Sequence, residues 1–329
     1  MPIFEKFQKT ILQYGLLKPR EHLLLGVSGG ADSLAMLFLF LQLRGKWGLK
    51  ISVGHLDHGL RKDSAEDLIF VKKLCGRLGV PFYGEKIRAE KSFIKGSLEE
   101  KLRIKRQEFL RQTAKRIKAT AIGLGHSQDD QAETVLMHLL RGSGLSGLTG
   151  ISPKRNIGGS KFIRPLIEIG RGEIEAYLKQ LKIRPREDTT NQEQRFFRNR
   201  IRLQLFPMLK KYNPNIKALL AQDAQIYAAD YDYILLRAQK EFERCAEAAR
   251  DILNIDLKRL RRLHPSLQRM ALRLAVEKMK GDTRRLAFSH LRELEDLVFN
   301  RPKGSVVDLP QGIAVKKYAS RLVFVSRKP

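Results

Sequence analysis

Between residues 22 and 183 the chain alternates short apolar runs with helical stretches, and this alternation limits the fold more than any other feature. The run HLLLGV at 22–27 is continuous and apolar, as is typical of a strand buried on both faces. Strands that alternate with helices predict an α/β fold with a doubly wound, Rossmann-like parallel sheet, whose ligands bind at the carboxyl ends of the strands. Four further runs predict strands at 49–58, 80–87, 120–126 and 161–169.

The composition and the hydrophobic pattern of the sequence change after about Pro214. From there an alanine-rich, basic helical pattern runs to about residue 280, and the final stretch around Pro310 alternates apolar and polar residues like a small hairpin. We therefore expect two domains: an α/β domain over 1–214, and a mainly helical, basic domain over 215–329 with a short C-terminal β segment. Helices are predicted between the strands of the first domain at 33–44, 64–79, 97–119, 127–142 and 171–183.

The charge balance points to a polyanionic partner. The chain has 63 Lys and Arg against 35 Asp and Glu, a formal net charge of +28, far above the magnitude of about 2 to 8 that keeps a small domain soluble. Nucleic acid is the first candidate. An anionic membrane is the rival, but no short polybasic tail adjoins a lipidation motif.

The cysteines and the N-terminus indicate the compartment. Cys75 and Cys245 lie far apart and no C-x-x-C is present, so neither a thiolate metal site nor a disulfide framework is predicted. The N-terminus lacks a signal-peptide layout, and the apolar run before Arg44 is too short to span a bilayer. We expect a cytoplasmic, bacterial-type protein with no membrane contact.

The loop SGGADS at 28–33 has the layout of a phosphate-binding site. It joins a strand to a helix, so glycines let the backbone approach an anion and the first N–H groups of the helix point at it. Ser28 and Ser33 add hydroxyl donors, whereas the Walker and G-x-G-x-x-G patterns are absent. Asp32 beside a phosphate indicates a bridging magnesium ion. The alternative is an ordinary turn in which Asp32 or Ser33 caps the helix.

The segment GHSQDDQAET at 125–134 brings several carboxylates to one helix start. Ser127 with Asp130 three residues later predicts a capping box. Capping does not explain why Asp129, Asp130 and Glu133 occur together, at spacings that share a helix face. Such a group can bind magnesium or a substrate ammonium. His126 before them could contact phosphate or relay a proton.

Two further clusters of polar residues have interpretations that the sequence does not decide. His55 opens HLDHGLR, which has too few ligands for zinc and is interpreted as a nucleotide or substrate contact. From Arg195 to Lys211 there are six basic residues and no acidic one, interleaved with phenylalanines. This strip is either the solvated face of an amphipathic helix or an anion-facing surface for ATP phosphates or RNA.

These motifs together resemble the tRNA(Ile)-lysidine synthetase family, a branch of the N-type ATP pyrophosphatases. SGGADS is similar to their pyrophosphate loop, and the order of HLDHGLR, GHSQDDQAETVLMHLLRGSGLSGL, RPL and EDTTNQEQRFFRNRIR matches along about 22–205. The resemblance implies a sheet of the adenine nucleotide alpha hydrolase type. LRIKRQ at 102–107 departs from the family's Ala-Arg-x-x-Arg-Tyr in its flanking residues, although Arg103 and Arg106 are present.

The resemblance implies a two-step modification of the wobble cytidine in the CAU anticodon of an isoleucine tRNA. ATP adenylates the position-2 carbonyl oxygen and pyrophosphate is released. The side-chain amine of free L-lysine then attacks that carbon and AMP leaves, which gives lysidine.

The resemblance also assigns roles to residues. Asp130 and Glu133 would bind the lysine ammonium or help to deprotonate it, and Arg106 and Arg198 would steady phosphate charge in the transition state. Asp32 would hold magnesium and act in catalysis. The ATP-binding set is Ser28, Gly29, Gly30, Ala31, Asp32, Ser33, His55 and His126. The tRNA-binding set is Arg195, Arg200 and Arg202.

Three alternatives stand beside this interpretation. A tRNA 2-thiolase would share the loop, but such enzymes commonly need paired cysteines. A synthetase for small molecules would leave the charge of +28 unexplained. A non-catalytic RNA-binding module would not need intact SGGxDS and DDxxE sets. The sequence leaves the oligomeric state open, with a homodimer as one option.

Overall fold

The computed structural model describes residues 1–59, 64–87, 98–186, 197–249, 251–283 and 285–326, apart from the side chains of 98 and 99. The chain divides into two compact units, Met1–Ala228 and Ala229–Pro329. This division falls later in the chain than the domain boundary that the sequence places after residue 214. Each unit has its own hydrophobic core.

A six-stranded sheet forms the centre of the first unit, within the described residues, in the order β3-β2-β1-β4-β6-β5. The pairs are parallel except that β5 runs antiparallel to β6. The sheet therefore has the predicted parallel, doubly wound character. Its strands are β1 His22–Gly26, β2 Lys50–Asp57, β3 Phe82–Lys86, β4 Ala121–Leu124, β5 Lys154–Ile157 and β6 Ser160–Ile163.

The strands on one side of β4 differ from the sequence prediction. The predicted strand at 161–169 ends at Ile163, because Pro165 has no N–H for a sheet ladder and the chain turns there. The edge strand β5 was not predicted. Its four residues are mostly polar and exposed, so they carry no apolar signal, and their pairing with β6 decides the conformation.

Helices cover both faces of this sheet because alternate strand residues point to opposite sides. Leu23 and Leu25 of β1 pack in the core that contains α2, whereas Leu24 packs in the core with Phe109 and Leu110 of α4. The helices of this unit are α1 Ile3–Gln13, α2 Ala31–Trp47, α3 Ser64–Leu78, α4 Leu98–Arg116, α5 Gln128–Leu140, α6 Gly144–Leu148, α7 Arg171–Gln180, α8 Phe197–Arg200, α9 Phe206–Tyr212 and α10 Ile216–Cys245, the last of which continues into the second unit.

The second unit contains more sheet than the sequence predicts. Its described strands form an antiparallel sheet in the order β7-β8-β11-β10-β9, whereas a mainly helical domain with a short C-terminal β segment was expected. The segment at 246–249 is rich in alanine, a helix former, but its pairing with β8 overrides that preference. The elements are β7 Ala246–Ala249, β8 Ile252–Asp256, α11 Leu257–Arg262, α12 Pro265–Lys280, α13 Phe288–Phe299, β9 Val306–Leu309, β10 Ile313–Lys317 and β11 Arg321–Ser326.

Across the described part of the chain, no helix combines the length and the apolar character needed to cross a bilayer.

Candidate nucleotide and substrate site

The site lies where three neighbouring strands end. The register pairs Gly26 of β1 with Leu124 of β4, and Gly123 with Ile163 of β6. Adjacent strands are about 4.8 Å apart, so the segments that follow them lie side by side. These segments are SGGADS, GHSQDD and RPL, which the sequence motifs singled out separately.

The SGGADS loop turns sharply into α2. Gly29 has φ +92°, a left-handed conformation that glycine adopts without strain. The helix begins with Gly30 as N-cap, so the interpretation of Asp32 or Ser33 as the cap is wrong. The Ser33 hydroxyl donates to the Gly30 carbonyl at 2.9 Å and lies 3.2 Å from the Ser28 hydroxyl. A glycine cap leaves the first N–H groups of α2 without a side-chain acceptor, which favours an anion.

Asp32 and Arg171 form an ion pair at the mouth of this loop. The Arg171 Nη1 donates to Oδ2 of Asp32 at 2.9 Å, across 139 positions of sequence. The other oxygen, Oδ1, is buried and has no hydrogen-bond partner among the described residues. Burial raises the pKa of Asp32 to about 6, against the lowering influence of Arg171. An unpartnered carboxylate oxygen beside an anion-binding loop is compatible with a magnesium ligand.

Magnesium binding does not require a protein cage here. No cluster of three or more His, Cys, Asp or Glu suited to a metal ion occurs in the described ranges. Magnesium commonly uses one or two carboxylates together with substrate phosphates, so Asp32 alone fits such a site.

The start of α5 holds Asp129 and Asp130 in different ways. Oδ2 of Asp130 accepts from the Ser127 N–H at 2.9 Å and from its hydroxyl at 3.2 Å, which confirms the predicted capping box. Oδ1 of Asp130 has only Arg202 Nη2 nearby, at 3.9 Å. Asp129 accepts from the Arg171 N–H at 2.8 Å and from Lys217. Burial raises its pKa, but these hydrogen bonds outweigh burial and lower it.

Glu133 is fully buried and bound by Arg202. Nε and Nη2 of Arg202 donate to the two carboxylate oxygens at 2.6 and 2.9 Å. The Arg198 Nε lies 3.6 Å from the same carboxylate, while its Nη2 donates to Thr134 at 3.1 Å. Burial raises the pKa of Glu133 in spite of Arg202. Both arginines come from the segment of α8 and the π-helical turn Ile201–Leu205, a geometry frequent at functional sites.

The two predicted ATP-contacting histidines are held neutral. His55 is buried, and its Nδ1 donates to the Val27 carbonyl at 2.8 Å at the root of the loop. Burial lowers its pKa. His126 is partly buried, and its Nδ1 is shielded from solvent without a hydrogen-bond partner in the described chain. Burial lowers the pKa of His126, and Arg164 and Arg106 add to this against Asp130.

The remaining predicted residues lie in separate places. Arg106 of α4 is close enough to lower the pKa of His126. Arg200 is exposed and stacks on the Phe197 ring at 5.4 Å. Arg202 belongs to the Glu133 pair, whereas Arg195 lies outside the described residues. Phe206 is core, as the helix alternative for this strip expected.

Sequence reasoning missed four basic residues of this region. Arg171 and Lys217 carry no local motif beyond their charge, and Arg164 belongs to the RPL motif but received no role. The contacts of these three residues span 12 to 139 positions. Arg186 donates its N–H to the Gly29 carbonyl at 3.0 Å, so the segment before 187 braces the loop. Its guanidinium binds the first turn of α3 through Glu66 and Asp67.

The glycine-capped anion loop and its carboxylate define the class: the first unit is a PP-loop nucleotide-binding domain. The family model described as PP-loop domain matches residues 3–209. A second model, described as TilS substrate binding domain, matches residues 255–323.

The chain belongs to the tRNA(Ile)-lysidine synthase family. It is 35% identical to the tRNA(Ile)-lysidine synthase of Caldanaerobacter subterraneus subsp. tengcongensis, over 99% of this chain and 70% of that protein. It is 35% identical to the Dehalococcoides mccartyi enzyme of the same name, over 93% of this chain and 66% of that protein. The Solibacter usitatus relative is 37% identical, over 89% and 64%. The chain thus spans roughly two thirds of the length of these relatives.

The fold also resembles that of a solved structure. The U34-tRNA thiolase NcsA from Methanococcus maripaludis superposes with a TM-score of 0.58 at 18% identity, covering 68% of this chain and 77% of that one. This likeness supports the fold and carries no assignment of activity.

Proposed function

We propose that this protein converts the wobble cytidine of a CAU-anticodon isoleucine tRNA to lysidine. The observation that carries the proposal is the adjacency of the anion loop after β1 and the carboxylate–arginine cluster after β4. The anion loop suits a triphosphate, and the carboxylates of the cluster suit an amine. Adenylation of the position-2 oxygen with release of pyrophosphate, followed by attack of lysine and departure of AMP, uses both.

The ATP-binding set is supported by the geometry of the loop. The backbone of Gly29 to Ala31 and the hydroxyls of Ser28 and Ser33 would bind the phosphates, and His55 would brace the loop through Val27. His126 would lie beside the nucleotide. Asp32 would hold magnesium through its unpartnered Oδ1, and a bound magnesium ion neutralises phosphate charge.

Lysine binding centres on the start of α5. Asp130 offers Oδ1, which makes no hydrogen bond in the described structure, to an ammonium. Both oxygens of Glu133 are held by Arg202, so Glu133 would take part once a ligand draws Arg202 away. An ammonium cannot attack a carbon, so one of these carboxylates would also accept its proton.

The positive charge of the site suits the anionic partners. Arg106 and Arg198 would steady charge on the transferring phosphate. Arg200, Arg202 and Arg195 would contact tRNA, with support from the net charge of +28. An anticodon base is single-stranded and can be splayed into a pocket. These substrates belong to the cytoplasm.

The division of labour follows the two sequence domains. Residues 1–214 would be catalytic. Residues 215–329 would contact tRNA, supported by the match of 255–323 to a substrate-binding family model. A homodimer is compatible with this arrangement.

A 2-thiolase is the weaker alternative. Cys75 and Cys245 are both buried, and burial raises the pKa of each thiol to about 11. Buried protonated thiols are poor carriers of sulfur.

Mass analysis of the wobble nucleoside tests the proposal. Purified protein is incubated with unmodified CAU-anticodon tRNA, ATP, magnesium and lysine, and the cytidine should gain the mass of lysine less one water. Asp32→Ala should abolish pyrophosphate release while tRNA affinity stays within about twofold, because the basic surface carries binding. Glu175→Ala is the matched control, since Glu175 also binds Arg171 but lies away from the loop. An unmodified cytidine with active pyrophosphate release would contradict the lysine step.

A further inference from the structure

Arg164 is a buried cation that has no anionic partner within the described residues. It follows β6 directly and is 7% exposed. Its Nη1 donates to the Ser152 carbonyl at 2.7 Å, and its Nε is buried with no hydrogen-bond partner in the described part of the chain. Among the described residues it forms no ion pair. The edge of the guanidinium formed by Nε and Nη2 is therefore available, and this is the edge that carboxylates and phosphates bind in bidentate fashion.

The neighbours of Arg164 make an anion more favourable there. Burial, together with the nearby charges of Arg155 and Arg103, lowers its pKa to about 10. Arg155 lies on the edge strand β5 and is exposed. A buried charge among like charges is costly, so its presence is best explained by a ligand that supplies the opposite charge.

Arg164 lies near one residue of the site already described. His126, whose shielded Nδ1 also lacks a partner among the described residues, is close enough to Arg164 for their charges to interact. β4 separates β6 from β1 in the sheet, so the strand before Arg164 lies roughly 10 Å from the strand before the PP loop. The loop itself serves the triphosphate. An anion bound at Arg164 would therefore be a different group from the triphosphate.

We propose that Arg164, with Arg155 at its rim and His126 beside it, forms a subsite for a substrate oxyanion. The oxyanion is the α-carboxylate of the amino acid or a backbone phosphate next to the target nucleotide, and this assignment rests on the proposed function. The first source would explain how the site selects a free amino acid over a simple amine. The second would fix the wobble base in register.

Binding measurements on the full chain separate the two sources. Titration calorimetry compares lysine with lysine amide, which lacks the carboxylate, and a CAU anticodon stem-loop RNA is titrated at several salt concentrations. If the carboxylate binds at Arg164, the wild-type protein prefers lysine at least tenfold and Arg164→Gln erases the preference. If a phosphate binds there, Arg164→Gln weakens RNA binding about tenfold and reduces the salt slope by about 1.

Three variants act as controls. Arg111→Gln removes an arginine that also donates to a backbone carbonyl, at Gly158, and should leave both ligands unaffected. Arg164→Lys keeps the positive charge but loses the planar guanidinium that binds an oxyanion in bidentate fashion. Its affinity for the ligand should therefore lie within about threefold of that of Arg164→Gln. Arg155→Gln is exposed and cannot unfold the core, and it should weaken the same ligand by about threefold.

The outcomes are decisive for the subsite. If Arg164→Gln and Arg155→Gln both bind lysine and RNA like Arg111→Gln, the subsite is overturned. If Arg164→Gln does not fold, the lysine and RNA affinities of Arg164→Lys and Arg155→Gln test the subsite in its place. Nucleoside analysis of the wild-type reaction runs in parallel. An absence of lysidine with anion binding that still depends on Arg164 would reject the proposed function and retain the subsite.

Discussion

Both units of the molecule bury a cation, but they surround it differently. In the second unit Lys317 donates to the carbonyls of Val298 and Arg301 at the C-terminal end of α13, where the helix dipole favours positive charge. In the first unit Arg164 is equally buried, yet it meets one carbonyl and other cations. Burial of a charge alone therefore does not indicate function. The acceptors that accompany the charge decide between a structural and a ligand-binding role.

Glu133 is a third buried ion, and unlike Arg164 it is paired with a residue of opposite charge, Arg202. Glu133→Ala leaves Arg202 without its carboxylate, so the free energy of unfolding should fall by about 3 kcal/mol. This value is at the lower end for a broken buried pair because Arg202 keeps 35% of its side-chain surface exposed. Urea denaturation measures it. The double variant Glu133→Leu/Arg202→Met should recover most of the loss, and a loss as large as that of the single variant would show that packing, not charge, matters.

The structural role of Lys317 predicts a smaller loss. Lys317→Met removes the donor to Arg301, while Val298 keeps hydrogen bonds from Arg261. The free energy of unfolding should fall by about 2 kcal/mol, the cost of one charged hydrogen bond and an unsatisfied carbonyl. Thermal unfolding measures this, with ATP affinity as the control that should stay unchanged. Unaltered stability would remove the contrast between Lys317 and Arg164.

Arg164 should give the smallest effect on stability. Arg164→Met removes an uncompensated buried charge and only one hydrogen bond, to Ser152, so these contributions should cancel within about 1 kcal/mol. Urea denaturation under the same conditions as for Glu133→Ala gives the comparison. A loss as large as that of Glu133→Ala would mean that Arg164 holds the fold together, and the proposed ligand would then be unnecessary.

Local sequence signals predicted the parts of the site that depend on neighbouring residues. The apolar run before Ser28 and the glycines after it specify a strand followed by an anion loop, and Ser127 with Asp130 specifies a helix start. Each of these features is decided within a few residues by backbone sterics and hydrogen bonding.

The partners of the charged groups could not be predicted in this way. Arg171 reaches Asp32 across 139 positions, and Arg202 reaches Glu133 across 69. The sequence placed Arg202 in a basic strip facing tRNA, with no signal for its partner. The strands β7 and β8 were missed for the same reason, since their conformation depends on the pairing of β7 with β8 and of β8 with β11 rather than on their own propensities.

The sequence by itself determined the α/β class, the PP loop and the carboxylates at the start of α5, because strand burial, glycine geometry and helix capping are local properties. Only the tertiary structure decided which charges are paired. It joined Glu133 to Arg202 and Asp32 to Arg171, and it left Arg164 buried near Arg155 with no acidic partner in the described ranges of the chain. The strength of an electrostatic interaction depends on distance and burial in three dimensions, and the amino-acid sequence alone specifies neither quantity.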